Sequence, residues 1–151
     1  MKRVYYPYSE FVVDLQKLVE QMDSYKPDAI VAISRGGLTM AHLLSEYFSL
    51  RSLFAINAVL YEGATKLENV RVFNAPDLTG YTNILIVDEI ADSGQTLTAV
   101  TELLKSNHPD ATYKTATLFQ KQSAKFRADW FAKEAVEWID FFWSVDLTAE
   151  N

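Results

Sequence analysis

Residues 84–97 read ILIVDEIADSGQTL, and the architecture of the chain follows from them. The first four residues form an apolar run, which predicts a strand buried on both faces, as in a parallel sheet. Two acids, Asp88 and Glu89, follow the run, and a helical pattern opens a few residues later. Strand, turn and helix in this order are typical of α/β proteins, whose ligands bind beyond the carboxyl ends of the strands. We therefore expect residues 88–96 to be a ligand-binding loop.

The same order occurs a second time, earlier in the chain. Residues 29–33 form another apolar run, which a short turn separates from a helical pattern. This turn consists of Ser34, Arg35, Gly36 and Gly37. A helix is predicted over 9–25 with Ser9 as its N-cap, and further strands are predicted at 51–61 and 113–119. The alternation predicts the α/β class, with a parallel sheet and helices on both of its faces.

Two segments lack a firm periodicity. Residues 62–81 contain two glycines, one proline and mixed charges, which predicts a long mobile loop flanked by short strands. Tyr61, Lys66 and Arg71 lie on or beside this segment and could close over a bound anion. The tail from Phe126 onward is rich in aromatic residues.

The composition limits the classes of protein to which the chain can belong. Its 151 residues predict one domain over 1–151, and the absence of cysteine excludes disulfides and thiolate metal sites. Lysines and arginines number 14 against 20 acids, and the net charge of −6 disfavours nucleic acid and anionic membranes as partners. Apolar runs are far shorter than the ~20 residues that span a bilayer, and no secretory signal pattern opens the sequence. We expect a cytoplasmic protein.

The loop at 88–96 has the composition of a ribose 5-phosphate site. Its second half offers backbone N–H groups and two hydroxyls at the start of a helix, where the helix dipole favours an anion. The phosphate-binding candidates are Ser93, Gly94, Gln95 and Thr96. Asp88 and Glu89 would instead accept hydrogen bonds from sugar hydroxyls, or bind Mg²⁺ mainly through water. In the alternative interpretation both acids are merely solvated and Asp92 only caps the helix.

Residues 84–97 also resemble the signature with which type I phosphoribosyltransferases bind phosphoribosyl pyrophosphate (PRPP). That signature consists of a hydrophobic strand, two acids, two further residues, Asp, Thr or Ser, Gly, any residue and Thr; the chain differs in having Glu89 as the second acid. The turn at 34–37 resembles the pyrophosphate loop of xanthine–guanine and related purine enzymes. The resemblance implies that all four residues of this turn bind pyrophosphate, Arg35 through its charge and the glycines through close backbone approach.

Two later segments resemble the parts of purine phosphoribosyltransferases that bind the base. Lys121 ends an apolar strand where 6-oxopurine enzymes place a lysine on the exocyclic O6. Trp138 and Ile139 resemble a C-terminal segment whose tryptophan stacks on the purine and whose next backbone group meets its edge, although Phe142 replaces the usual proline. By the same resemblance, Asp92 meets N7 of the purine as general acid and base. Other tail aromatics are expected in the core or a subunit interface, namely Trp130, Phe131, Phe141 and Trp143.

These resemblances imply a single-domain type I phosphoribosyltransferase fold with a small C-terminal hood region. They imply an enzyme of purine salvage that transfers the phosphoribosyl group of PRPP to guanine, xanthine or hypoxanthine with Mg²⁺. A nucleoside monophosphate and pyrophosphate would be the products, and homodimers or homotetramers are expected. Three alternatives stay open: a PRPP-, nucleotide- or RNA-binding regulator on the same fold, a phosphoribosyltransferase for another base such as orotate, and a generic doubly wound binding domain. The sequence contains neither GxxxxGK[ST] nor GxGxxG, which removes the commonest forms of the last class.

Overall fold

The computed structural model of the chain describes residues 2–62 and 68–149. Its elements in chain order are β1 (Arg3–Tyr6), α1 (Tyr8–Met22), β2 (Ala29–Ser34), α2 (Leu38–Tyr47), β3 (Leu53–Glu62), β4 (Glu68–Phe73), β5 (Asn83–Ala91), α3 (Gln95–Asn107), β6 (Thr112–Gln120), β7 (Trp130–Glu134), β8 (Trp138–Phe141) and α4 (Phe142–Val145). Six strands form one sheet in the order β4-β3-β2-β5-β6-β7, parallel throughout except for the β3–β4 pair. No helix in the described part of the chain is long and apolar enough to cross a bilayer.

The strands β2 and β5 lie side by side at the centre of this sheet and are apolar on both faces. Ile30 is opposite Leu85 in the register, and both pack with α1 and α2 on one face. Val31 is opposite Ile86, and both pack with α3 on the other face. Successive side chains of a strand point to opposite faces, so a strand covered on both sides is apolar at every position. The predicted α/β class with helices on both faces is thereby confirmed.

The first helix, α1, differs from its prediction at both ends. Pro7 occupies the N-cap position, and the N–H of Phe11 donates to the carbonyl of Pro7 at 3.1 Å. The predicted cap at Ser9 is therefore wrong, because the helix has already begun at Tyr8. The helix also ends before residue 25, since Asp23 adopts a positive φ of 53°.

The predicted loop over 62–81 is partly a strand. The β4 segment pairs antiparallel with β3 at the edge of the sheet. The loop prediction is wrong there, because a short alternation of valines with polar residues gives only a weak period-two signal. Arg71 lies in β4 with its guanidinium 4.8 Å from the ring centroid of Phe73. The predicted contributions of Lys66 and of the Tyr61 side chain fall outside the described residues.

The strand β5 extends beyond the apolar run and includes the acids. It continues through Ala91, because the neighbouring β6 pairs with it over Asp88 and Ile90 as well. The predicted loop at 88–96 is therefore too long, and the irregular turn covers only residues 92–94. The sheet itself consequently fixes the backbone of the acid pair.

The two ends of the chain form a hood from β1, β8 and α4. The strands β1 and β8 pair in parallel, with Arg3 opposite Trp138 and Tyr6 opposite Phe141. Tyr6 packs edge-on against Phe141 at 5.7 Å, and its hydroxyl donates to the buried carboxylate of Asp14 at 2.7 Å. The hood expected at the C-terminus thus contains the first strand as well. Pairing of β1 with β8 and packing of Tyr6 attach both segments to the core.

Asp28 joins the start of β2 to the start of β5. Its carboxylate accepts hydrogen bonds from the N–H of Asn83 at 2.8 Å and from the N–H and hydroxyl of Thr82 at 2.9 and 3.1 Å. Desolvation raises the pKa of Asp28, but these hydrogen bonds outweigh it and hold the pKa below its usual value. A lowered pKa in the folded state stabilises the protein above the pKa of the unfolded chain, and the stabilisation is lost as the pH falls through the folded pKa.

We expect Asp28→Asn to lower the free energy of unfolding by about 1 kcal/mol at pH 7, because its amide would point a donor at one of the N–H groups. The difference from the wild-type protein should begin to shrink below pH ~4, where the carboxylate of the unfolded chain becomes protonated, and should shrink further as the pH falls through the lower folded-state pKa. Urea unfolding at pH 7 and pH 3 measures both values, with the exposed Asp110→Asn as control. Equal stability of wild type and variant at pH 7 would contradict this role of Asp28.

Candidate active site

The two predicted ligand loops lie side by side, because β2 and β5 are neighbours in the sheet. A Cβ atom added to Gly36 would overlap the carboxylate of Glu89. A Cβ atom added to Gly37 would overlap the backbone carbonyl oxygen of Val87. Both glycines thus lie in close approach to β5, which brings the 34–37 turn against its acid end, and only at Gly37 is the neighbour fixed backbone.

The phosphate-binding candidates, residues 93–96, form the turn into α3 and its first residues, here called the phosphate turn. Gly94 has a φ of +89°, in the left-handed region that favours glycine, and a Cβ atom there would lie 2.5 Å from the backbone nitrogen of Phe126. The N–H of Gln95 donates to the hydroxyl of Ser93 at 3.2 Å. Ser93, Gly94 and Thr96 line a cavity of about 170 Å³. This cavity lies at the positive end of the α3 dipole, which favours an anion.

Asp88 and Glu89 are half-buried carboxylates near the end of β5. Burial raises the pKa of Asp88 well above its usual value and the charge of Glu89 raises it further, while a hydrogen bond from the Glu89 N–H at 2.8 Å opposes the rise. Burial also raises the pKa of Glu89, opposed by a hydrogen bond from Trp143 and by the charge of Arg35. Two adjacent acids whose ionised forms are disfavoured by burial favour a ligand that brings hydroxyls or positive charge.

Trp143 contacts this acid pair, although the sequence predicts a core or interface role for it. Its indole Nε1 donates to Oε2 of Glu89 at 3.3 Å, and its ring stacks on Phe141 with the centroids 4.7 Å apart. No local pattern could indicate this contact, because 54 residues separate its partners along the chain. Trp143 thereby holds the Glu89 carboxylate from the side of the hood.

A larger cavity of about 580 Å³, here called the base cavity, lies between the phosphate turn and the hood. Lys121 and Asp92 both line it, and the Nζ of Lys121 lies 2.7 Å from Oδ1 of Asp92. The sheet places Lys121 there, since its N–H donates to the carbonyl of Ala91 at 2.9 Å. The two side chains are 38% and 65% exposed, so their ion pair contributes at most ~1 kcal/mol and can be exchanged for a ligand.

Trp138 and Ile139 line the hood side of the base cavity, and Trp138 is 53% exposed. Glu89, Ile90 and Asp92 line both the base cavity and the cavity of about 170 Å³ at the start of α3. The structure therefore brings the predicted phosphate, acid and base residues together around the end of β5. The 34–37 turn touches Glu89 but lines neither cavity, and the peptide bond between its first two residues is cis.

Several residues of the base cavity were not among the sequence candidates. They include Arg3, Ile90, Val136, Glu137, Asp140 and Ser144. Ile90 lies between the acid pair and Asp92, so its position within residues 84–97 could have predicted that it lines the site. Arg3 carried no local signal, because the pairing of β1 with β8 joins segments far apart in the chain.

The donor set of the site suits Mg²⁺ bound through water better than a closed metal cage. Across residues 2–62 and 68–149, no group of three or more His, Cys, Asp or Glu residues is arranged to hold a metal. Asp88 and Glu89 supply two carboxylates whose ionised forms are penalised by burial. Mg²⁺ commonly keeps several waters and binds through one or two carboxylates plus substrate phosphates, which this pair fits.

Comparison with known sequences identifies a family for nearly the whole chain. Residues 12–150 match the sequence pattern of the phosphoribosyl transferase domain. The xanthine-guanine phosphoribosyltransferase of Roseobacter denitrificans is 30% identical over 148 residues, which covers 89% of this chain and 81% of the relative. The enzyme of the same name from Cereibacter sphaeroides is 33% identical over 144 residues, covering 89% of this chain and 82% of the relative.

Solved structures agree with the sequence comparison. The Helicobacter pylori xanthine-guanine-hypoxanthine phosphoribosyltransferase superposes with a TM-score of 0.90 and 43% identity over 96% of both chains. A purine phosphoribosyltransferase from Pyrococcus horikoshii superposes with a TM-score of 0.83 and 29% identity over the full length of both chains. The arrangement of strands, turns and hood is therefore shared with proteins of this kind.

We expect Gly36→Ala and Gly37→Ala to differ in their effect on stability. The added methyl at Gly37 meets fixed backbone and should lower the free energy of unfolding by about 1–3 kcal/mol. The methyl at Gly36 meets only the end of the Glu89 side chain, which can move, so the loss should stay below ~1 kcal/mol. Chemical unfolding of the matched pair measures the difference. Equal losses would show that the 34–37 turn does not lie against β5 in this way.

Proposed function

The chain belongs to the phosphoribosyltransferase family, and from that premise we propose that it is a purine phosphoribosyltransferase of purine salvage. It transfers the 5-phosphoribosyl group of PRPP to a 6-oxopurine, which is guanine, xanthine or hypoxanthine. The products are the nucleoside monophosphate and pyrophosphate. The observation that carries the proposal is the lining shared by the two cavities: Glu89, Ile90 and Asp92 border both. A ribose bound at these residues would reach the phosphate turn with its 5-phosphate and the base cavity with C1.

The phosphate turn would anchor the 5-phosphate of PRPP. Its neutral donors at the helix N-terminus suit a dianion, whereas the acids upstream suit the ribose hydroxyls. The anchoring groups would be Ser93, Gly94, Gln95 and Thr96. Pyrophosphate would lie at the 34–37 turn, where Ser34 and the N–H group of Gly36 would donate and Arg35 would supply positive charge. Gly37 would contribute through close backbone packing, because its own N–H donates to the carbonyl of Ile33 at 2.9 Å.

The base cavity would recognise the O6 and N7 edge of the purine. These two atoms are neighbours on one edge of a 6-oxopurine, and Lys121 and Asp92 are neighbours on the cavity wall at 2.7 Å. Lys121 would donate to O6, and Asp92 would face N7. Trp138 would supply a stacking surface, which is worth about 1–3 kcal/mol to a base. The backbone of Ile139 would meet the edge of the ring.

Catalysis would consist mainly of positioning and of charge stabilisation. The bond from C1 of the ribose to the pyrophosphate oxygen breaks and the bond from C1 to the base nitrogen forms, so both groups must be held in line. Arg35 and the N–H groups of the 34–37 turn would stabilise the departing pyrophosphate. Asp92 would hold or move the proton at N7 as general acid and base.

Asp88 and Glu89 would hold Mg²⁺ mainly through water, or the ribose hydroxyls directly. Either partner would stabilise the ionised carboxylates against the burial that raises both pKa values and against the charge of Glu89, which raises the pKa of Asp88 further. When bound, the ion neutralises negative charge on the pyrophosphate leaving group.

The family resemblance and the chemistry of the substrates support two further proposals. We propose that the protein acts in the cytoplasm, in keeping with its lack of cysteine. We also propose that it forms a homodimer or a homotetramer. Sedimentation velocity should therefore give two or four times the mass of one chain, and a monomer at micromolar concentration would contradict this expectation.

The first experiment follows pyrophosphate release with PRPP and Mg²⁺ while guanine, xanthine, hypoxanthine, adenine, uracil and orotate are offered in turn. We expect turnover with at least one 6-oxopurine and none with orotate or uracil. Asp92→Asn should lower kcat by about 10²–10⁴-fold, because the variant cannot exchange a proton with N7. Chelation by EDTA should stop the reaction, and excess Mg²⁺ should restore it.

The exposed Asp110→Asn, remote from both cavities, is the matched control and should keep wild-type rates. PRPP binding without turnover of any base would overturn the catalytic proposal in favour of a regulatory protein. Turnover with orotate or uracil alone would overturn the assignment of the base.

A further inference from the structure

Arg3 lies on the same face of the hood as Trp138, the proposed stacking surface for the base and here called the base platform. In the parallel pairing of β1 with β8, Arg3 is opposite Trp138, and Tyr5 is opposite Asp140. Register partners in a parallel pair lie on one face, and residues two apart share that face. The opposite face carries Tyr6 and Phe141, which are buried in the core. The hood sheet thus has an apolar inner face and a polar face, and residues of both line the base cavity.

Arg3 makes two kinds of contact on this face. Its Nε and Nη2 donate to the two carboxylate oxygens of Asp140 at 3.0 and 2.7 Å, a bidentate geometry that fixes both planar groups. Its guanidinium carbon also lies 5.6 Å from the ring centroid of Trp138, within the range of a cation–π contact. The three side chains are joined further, because Nε1 of Trp138 donates to Oδ1 of Asp140 at 3.2 Å.

The triangle of Arg3, Trp138 and Asp140 defines the orientation of the indole. Trp138 is 53% exposed and cannot rely on tight packing to keep one rotamer. Its ring nitrogen is held by Asp140, and one of its faces carries the cation of Arg3. The hydrogen bonds from Arg3 in turn hold the pKa of Asp140 below its usual value, so the acceptor stays ionised. Trp138 and Arg3 both line the base cavity, so the indole is held at the wall on which the proposed purine would stack.

We propose that Arg3 is a positioning residue for the base: it holds Trp138 through the shared partner Asp140 and through its own contact with the indole ring. The inference rests on the proposed function, because it takes the purine as the ligand that stacks on Trp138. It assigns a role in base affinity to the first strand of the chain, which contributes nothing to the phosphate turn. Arg3 consequently affects the KM for the purine and leaves the KM for PRPP unchanged.

A merely structural role is the competing explanation. In that case Arg3 would only attach β1 to the hood, and its loss would lower stability without a selective effect on the base. Tyr5→Phe distinguishes the structural role from the positioning role. Tyr5 also attaches β1 to the hood, because its hydroxyl donates to Asp146 at 2.7 Å, but it makes this contact away from Trp138. Lys2→Ala removes a neighbouring exposed cation, whose Nζ lies 4.0 Å from Oε1 of Glu137, and controls for the loss of a nearby positive charge.

The experiment measures kcat and both KM values for wild type, Arg3→Ala, Arg3→Lys, Tyr5→Phe and Lys2→Ala, with urea unfolding of each. Arg3→Ala should raise the KM for the purine about tenfold, while the KM for PRPP stays within about twofold. Arg3→Lys should recover only part of the loss, because lysine cannot form the bidentate pair. Tyr5→Phe and Lys2→Ala should leave the KM for the purine unchanged.

A double-mutant cycle tests whether Arg3 acts through Trp138. In a Trp138→Phe background, Arg3→Ala should raise the KM for the purine far less than in the wild-type background, because the oriented indole is already gone. Equal effects in both backgrounds, or an unchanged purine KM in Arg3→Ala, would overturn the inference while the wild-type turnover stands. A wild-type protein without turnover of any purine would instead overturn the proposed function itself.

Discussion

The parallel pairing of β2 with β5 is the constraint on which the site depends. Because the two strands run in one direction, both deliver their following turns to the same edge of the sheet. The approach is close enough that Gly37 meets the backbone of Val87 and Gly36 meets the Glu89 carboxylate. A side chain at Gly37 would therefore push the predicted pyrophosphate loop away from the acid end of β5, because it would meet fixed backbone. Burial of apolar side chains on both faces of these strands, at about 1.5–3 kcal/mol each, maintains the contact.

The ionisable side chains at this edge of the sheet fall into two pairs that differ in burial. Asp88 and Glu89 are half-buried, their charges are crowded, and they favour a ligand that relieves them. Lys121 and Asp92 are partly exposed and satisfy each other through an ion pair that a ligand can replace at small cost. The first pair suits a role in holding sugar and metal, and the second suits exchange with a base. The rigid sheet provides the first environment, and the open base cavity provides the second.

Local patterns predicted the parts of the fold in which neighbouring residues carry the signal. The runs at 29–33 and 84–87, and the motif that follows the second run, indicated buried parallel strands and a phosphate turn, and the α/β class is confirmed. The prediction of secondary structure was wrong where the hydrophobic periodicity was weak, and where pairing with a neighbouring strand extended an element beyond its local pattern. The β4 strand carries only a short alternation, and β5 continues past Asp88 because β6 is there to pair with it. The predicted N-cap at Ser9 was wrong because Pro7 holds the N-cap position and the helix begins at Tyr8.

The sequence alone determined the chemical types and spacing of the phosphate, acid and base candidates, because these lie within short contiguous segments. The tertiary structure alone decided which distant residues complete them. Trp143 reaches Glu89 across 54 residues, and Arg3 reaches Asp140 across 137 residues. Contacts of this kind arise from the pairing of the two chain ends and from hydrophobic packing of the hood, whose energies depend on the whole fold. A local pattern cannot encode them, so the supports of the base platform emerge only when the chain is folded.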